Sequence, residues 1–145
     1  MVEGKTNKVK KLNSNIYKII FAKSLFGMSR EGEERLVRAM ATVVVNRIDF
    51  ESDIDEQNFN VVNVLTDTEL FPCWKNIKFM ETIDFSLEWF KKCLCIVNDV
   101  IAGKNKNLKL QNLISFHKVD RRPFGFIGLC PCLMINDYAF YDVYV

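Results

Sequence analysis

Glu31, Glu33 and Glu34 crowd the stretch just after Arg30. Carboxylates gathered this way serve acid–base chemistry, or they are solvated charges that suit the positive end of the helix that follows. His117 is the sole histidine. A lone imidazole is a satisfied structural group or a support to catalysis, and one histidine makes a poor metal site. Cys73, Cys93, Cys95, Cys130 and Cys132 are odd in number, so they cannot all pair within one chain. Cys93-Leu94-Cys95 and Cys130-Pro131-Cys132 leave one residue between thiols, where zinc sites leave more. On a helix, Cys93 and Cys95 would point about 200° apart. The expectation is free, reduced, mostly buried thiols, with no metal and no cofactor.

The elements that must position these residues are legible in the apolar spacing. Ile16, Ile19, Ile20, Leu25 and Phe26 form a helical stripe after Asn13 or Ser14, either of which can cap it. Gly27 ends that helix or marks a close contact. A second helix is expected over about 33–48, with a nearly all-apolar second half that belongs in the middle of a core. Residues 49–60 read as an acidic surface loop, 61–65 as a short helix or extended turn, and 70–74 as a proline-bearing aromatic loop. A third long helix is expected over about 85–102, stopped by Gly103. Strands follow at about 113–119, 132–135 and 138–143, the last two flanking a tight turn at Asn136-Asp137. The fold class is α+β, mainly helical, with a small antiparallel β element near the C-terminus.

Composition narrows the partners. The chain has 145 residues, 49% of them hydrophobic, and a net charge of +2, enough for one domain with its own core. That charge is too balanced to argue for nucleic acid. Residues 1–12, with Lys5, Lys8, Lys10 and Lys11, read as a solvated basic tail and 13–145 as the domain. No run approaches the ~20 apolar residues of a membrane span. Lys18 and Lys23 interrupt the one candidate for a secretory apolar segment. As given, the chain is expected to be cytoplasmic or to reach the cell envelope by a non-standard route.

Three blocks carry a resemblance. The first is FAKSLFGMSREGEERLVRAMATVVVNRI, where Phe26-Gly27, Arg30 and Val43-Val44-Val45-Asn46-Arg47 fall at the spacing of a YGEARGE motif followed by a helix ending in VVLNRV. The second is Val61-Val62, then Phe71-Pro72-Cys73-Trp74, against a VV segment and FSCWN. The third is Ser115-Phe116-His117, Arg122-Pro123-Phe124 and Ile135-Asn136-Asp137-Tyr138-Ala139-Phe140-Tyr141, against a YH segment, a proline-aromatic step and IGNHVFY. In this order the blocks resemble the SleB-like family of bacterial cell-wall hydrolases. The resemblance implies a lysozyme-like fold and cleavage of peptidoglycan glycan strands, of the lytic transglycosylase type, in which one glutamate acts as acid and then base.

The departures fall on the chemistry. Met28 stands where that family keeps its catalytic glutamate, and a thioether has no proton to give. The second family glutamate aligns with Gly32, or with Glu33 if one residue is inserted, and the histidine of the C-terminal motif aligns with Tyr138. Glu31 is the candidate substitute acid, three residues on from Met28. Arg30, Trp74, His117 and Tyr138 are the candidate substrate-binding residues. Trp74 reads equally as core or as a sugar-stacking platform, and Asn46 and Arg47 read as structural groups. Met28, Glu31, Trp74, His117 and Tyr138 are expected to border one concave surface. The function so implied is that of a glycan-strand cleaving enzyme, degenerate in catalysis. The alternative is a non-catalytic relative that binds glycan or a protein partner in the same groove.

Overall fold

The computed structural model describes Leu12 and residues 14–54, 59–104 and 108–143. Among these, five α-helices precede and surround one small sheet: α1 (Asn15–Met28), α2 (Glu34–Ile54), α3 (Val61–Leu65), α4 (Ile77–Glu81) and α5 (Glu88–Ile101). Strands β1 (Ser115–Lys118), β2 (Leu133–Ile135) and β3 (Tyr138–Tyr141) form an antiparallel sheet in the order β1-β3-β2. The molecule is α+β, with its helices first and its sheet near the C-terminus.

The apolar spacing locates the helices, but in α1 Leu25 alone of the expected stripe is buried, and Ile16 is 70% exposed. α1 begins where the Ser14 hydroxyl accepts from the Tyr17 amide, and it buries Phe21, Ala22 and Leu25. α2 buries Leu36, Val37, Met40, Ala41, Val43, Val44 and Ile48, and so runs through the centre of the core as its composition predicts. α5 lies against both α1 and α2. Each large side chain removed from water here contributes about 1.5–3 kcal/mol. Gly27 sits inside α1, where an added Cβ would come within 2.8 Å of the Cys73 sulfur. It therefore marks a close contact rather than the helix end.

α2 does not stop at Ile48. It continues to Ile54, through residues whose polarity suggests a loop. Arg47 pairs with Glu51 one turn on at 3.1 Å, and the buried Ser52 bonds back to the Asp49 carbonyl. These contacts hold the extra turns against the core. α4 is also a helix that periodicity does not reveal, and the Asn76 side chain caps it. Leu12 is buried and belongs to the core, so the solvated tail does not extend that far; the lysines at 5–11 lie outside the described residues.

The sheet is tied to α2 by two neighbouring side chains. The Asn46 amide donates to the carbonyls of Leu110 and Leu113, and Arg47 donates to Ile114 O and Ser115 Oγ. Arg47 is only 6% exposed, and its guanidinium satisfies the Ile114 carbonyl on the way into β1. The β2–β3 hairpin turns at Asn136-Asp137 as expected. Asn136 takes the left-handed conformation (φ 51), which asparagine tolerates better than most residues. The cysteine expectation needs correction: Cys93 is buried and Cys73 half-buried, but Cys95, Cys130 and Cys132 are exposed. The last two sit in the irregular segment before β2, which has no core to enter. No described helix is long and apolar enough to cross a membrane.

Candidate functional site

A groove of about 570 Å³ opens between the α1–α2 junction, the turn at Pro72–Lys75 and the sheet. Met28, Arg30 and Glu33 line it from the helical side, and His117, Lys118, Asp137 and Tyr138 from the sheet side. Four of the residues singled out in the sequence, Met28, Arg30, His117 and Tyr138, thus share one concave surface.

The helical wall is set by local backbone geometry. Ser29 ends α1, its amide bonding to the Phe26 carbonyl and its hydroxyl to Leu25 O. Residues 30–33 then form a turn closed in both directions. The Glu33 amide donates to Arg30 O at 3.1 Å, and the Arg30 amide donates to Glu33 Oε1 at 2.7 Å. Gly32 occupies this turn at φ +92, a conformation that side chains strain to adopt. This accounts for glycine at position 32. The carboxylate next along the chain, Glu33, reaches the groove instead. Its other oxygen accepts from the Asn136 amide at 2.8 Å, pinning the turn to the β2–β3 hairpin.

The sheet wall is a hydrogen-bonded network. His117 is 7% exposed. Its Nδ1 lies 2.8 Å from the Lys118 carbonyl, which can only accept, so Nδ1 carries the proton. Nε2 then accepts from the Tyr141 hydroxyl at 2.8 Å. Both ring nitrogens are therefore occupied, and the imidazole's polar atoms serve the sheet. Tyr138 donates its hydroxyl to the Met28 carbonyl at 3.2 Å and so joins the two walls. Burial, with a smaller push from the Glu33 carboxylate, raises the Tyr138 phenol to about 12. Burial likewise raises the Cys73 thiol, also on the groove, to about 12. At neutral pH both groups keep their protons.

Two of the sequence candidates lie elsewhere. Glu31 is exposed and does not line the groove, because the turn at Gly32 directs Glu33 inward in its place. Trp74 turns toward α1: its indole donates to the buried Ser24 hydroxyl at 2.7 Å, and that hydroxyl in turn bonds to Leu65 O at 2.6 Å. Trp74 packs against the core and does not line this groove. The groove also holds Lys75, Lys118, Arg121 and Asp137, which the sequence reading did not single out. Their solvated side chains follow no apolar period, so only the turns that bring them together identify them. Arg30, Lys75, Lys118 and Arg121 give it four cations against the carboxylates of Glu33, Glu69 and Asp137.

A second cavity, of about 670 Å³, lies on another side of α2. Two of its polar lining groups are committed to structure: Arg38 pairs with Glu34 and Asp99, and Asn46 holds the Leu110 and Leu113 carbonyls. Among the described residues, no three histidine, cysteine, aspartate or glutamate side chains converge as a metal site would require. No family model, no curated protein and no solved structure matches this chain.

Proposed function

We propose that this chain is a catalytically degenerate domain of the SleB-like, lysozyme-like type, whose groove binds peptidoglycan glycan strands. The observation that carries the proposal is the convergence of Met28, Arg30, His117 and Tyr138, drawn from the first and last motif blocks, on one groove. Its charge supports the same ligand. Peptidoglycan strands carry carboxylates on their peptide branches, and on any lactyl group without a peptide, and the cations Arg30, Lys75, Lys118 and Arg121 complement them.

Cleavage needs a neutral carboxyl to protonate the leaving oxygen. Met28 has none, and both oxygens of Glu33 already accept hydrogen bonds. Tyr138 and Cys73 hold their protons too tightly to donate them at neutral pH. General acid–base help is worth ~10² to 10⁴ in rate, and the proposed domain forgoes it while keeping the groove.

The test is co-sedimentation of the purified chain with insoluble peptidoglycan. Wild-type chain should pellet with the polymer, and an Arg30→Ala/Arg121→Ala double variant should bind several-fold more weakly, because both residues line the groove. Equal retention of the two proteins would remove the groove from the account.

A further inference from the structure

Beside the groove, with which it shares Lys118, Arg121 and Pro123, residues 122–129 form a short loop folded onto the outer face of the sheet. Phe126 points inward, its ring centroid 4.8 Å from His117 and 4.7 Å from Tyr141, and Leu129 packs against the same cluster. The Arg122 guanidinium donates to Leu129 O at 2.7 Å and fastens the two ends of the loop together. Between these anchors runs a 3₁₀ turn, Phe124–Phe126, with the Ile127 amide bonding back to Phe124 O. Residues three apart eclipse one another on such a turn, which puts Phe124 and Ile127 on a common face. Phe124 is 90% exposed and Ile127 64%.

One exposed apolar side chain means little. This pair differs because the loop beneath it is fastened at three points, so the tip is held out. Its surroundings carry a net positive charge: Lys118, Arg121 and Arg122 precede the tip, against Asp120 and the neighbouring Asp137, whose carbonyl accepts from the Val119 amide, and Val119 and Met134 add further exposed apolar surface. We propose that this loop is a peripheral docking element for an anionic lipid surface, with Phe124 and Ile127 entering the acyl boundary and Lys118, Arg121 and Arg122 meeting the headgroups. The shape favours lipid over a folded protein. The two tip side chains offer on the order of 300 Å², against ~800 Å² per partner in a stable protein interface. A convex apolar tip with a cationic collar suits the interfacial zone of an anionic bilayer.

The experiment is flotation of the full chain with vesicles containing phosphatidylglycerol and, separately, with vesicles of phosphatidylcholine alone. Wild type should float with the anionic vesicles, less so as salt rises, and little with the neutral ones. Phe124→Ser/Ile127→Ser should weaken partitioning by roughly tenfold or more, with an unchanged thermal melt because both side chains are exposed. Arg121→Gln should weaken it about fivefold. No wild-type binding to anionic vesicles, or equal binding to neutral ones, would overturn the proposal. So would undiminished binding by the double variant, which would assign the affinity to another basic segment such as Lys5 to Lys11. Wild-type self-association that the double variant abolishes, without vesicle binding, would make the tip a contact between copies instead.

Discussion

The two walls of the groove are built by different means. On the helical side, residue 28 is placed by packing: Gly27 is pressed against Cys73, Ser29 caps the helix, and Met28 packs against the core. On the sheet side, position depends on polar atoms: His117 bridges Lys118 O and Tyr141, and Ser115 bonds to Val143 O. The difference teaches which residues can change without cost to folding. A side chain set by backbone packing needs no particular polar group to hold its place, so methionine at position 28 is compatible with the fold. A side chain whose hydrogen bonds hold the sheet is constrained whatever the groove does. The presence of His117 is therefore weaker support for glycan binding than the presence of Arg30, whose side chain is exposed.

The comparison can be broken most forcefully in the core behind the two walls. Phe116 is buried and packs edge-on against Phe71 and Tyr138 and obliquely against Phe140. Phe116→Ala should cost about 3–5 kcal/mol, read as a lowered midpoint in denaturant. A loss under about 1 kcal/mol would mean the sheet does not depend on this contact.

A smaller effect separates core from groove on the helical side. Trp74→Phe removes the indole donor to Ser24 and should cost about 1–2 kcal/mol, while peptidoglycan retention stays at the wild-type level. Weakened retention in a variant that remains folded would return Trp74 to the binding surface.

A further effect, confined to alkaline solution, is a pH dependence. Burial raises Cys73 and Cys93 to about 12 from an ordinary 9.0, and Tyr138 to about 12 from 10.0. The unfolded chain therefore sheds these protons first. Stability should be flat below pH 9 on their account and fall as pH rises from 9 toward 12. Cys93→Ala should make that decline shallower, measured as the unfolding midpoint against pH. An unchanged slope would exclude Cys93 as a contributor.

Much of this was legible in the sequence for physical reasons that particular residues make plain. Ser14 and the stripe from Ile16 to Phe26 declare α1 through a cap and a period. Asn136-Asp137 declares the hairpin because few residue types accept a left-handed backbone. The extension of α2 was hidden because its support, the Arg47–Glu51 pair and the buried Ser52, is polar, and polar residues read locally as loop. Glu31 and Glu33 could not be told apart without the turn at Gly32, since adjacent carboxylates differ only in where the backbone aims them. Trp74 was ambiguous because an indole suits a sugar and a core equally well until the Ser24 hydroxyl is seen beneath it.

The most direct test is product analysis by mass after incubating peptidoglycan with wild type and with Met28→Glu, alongside Glu33→Gln. The account predicts that wild type binds without measurable release of glycan fragments. Met28→Glu, which places a carboxyl of similar reach at the groove wall, should release fragments with anhydro ends. Robust cleavage by wild type, abolished by Glu33→Gln, would contradict the account and make Glu33 the working acid of an active enzyme.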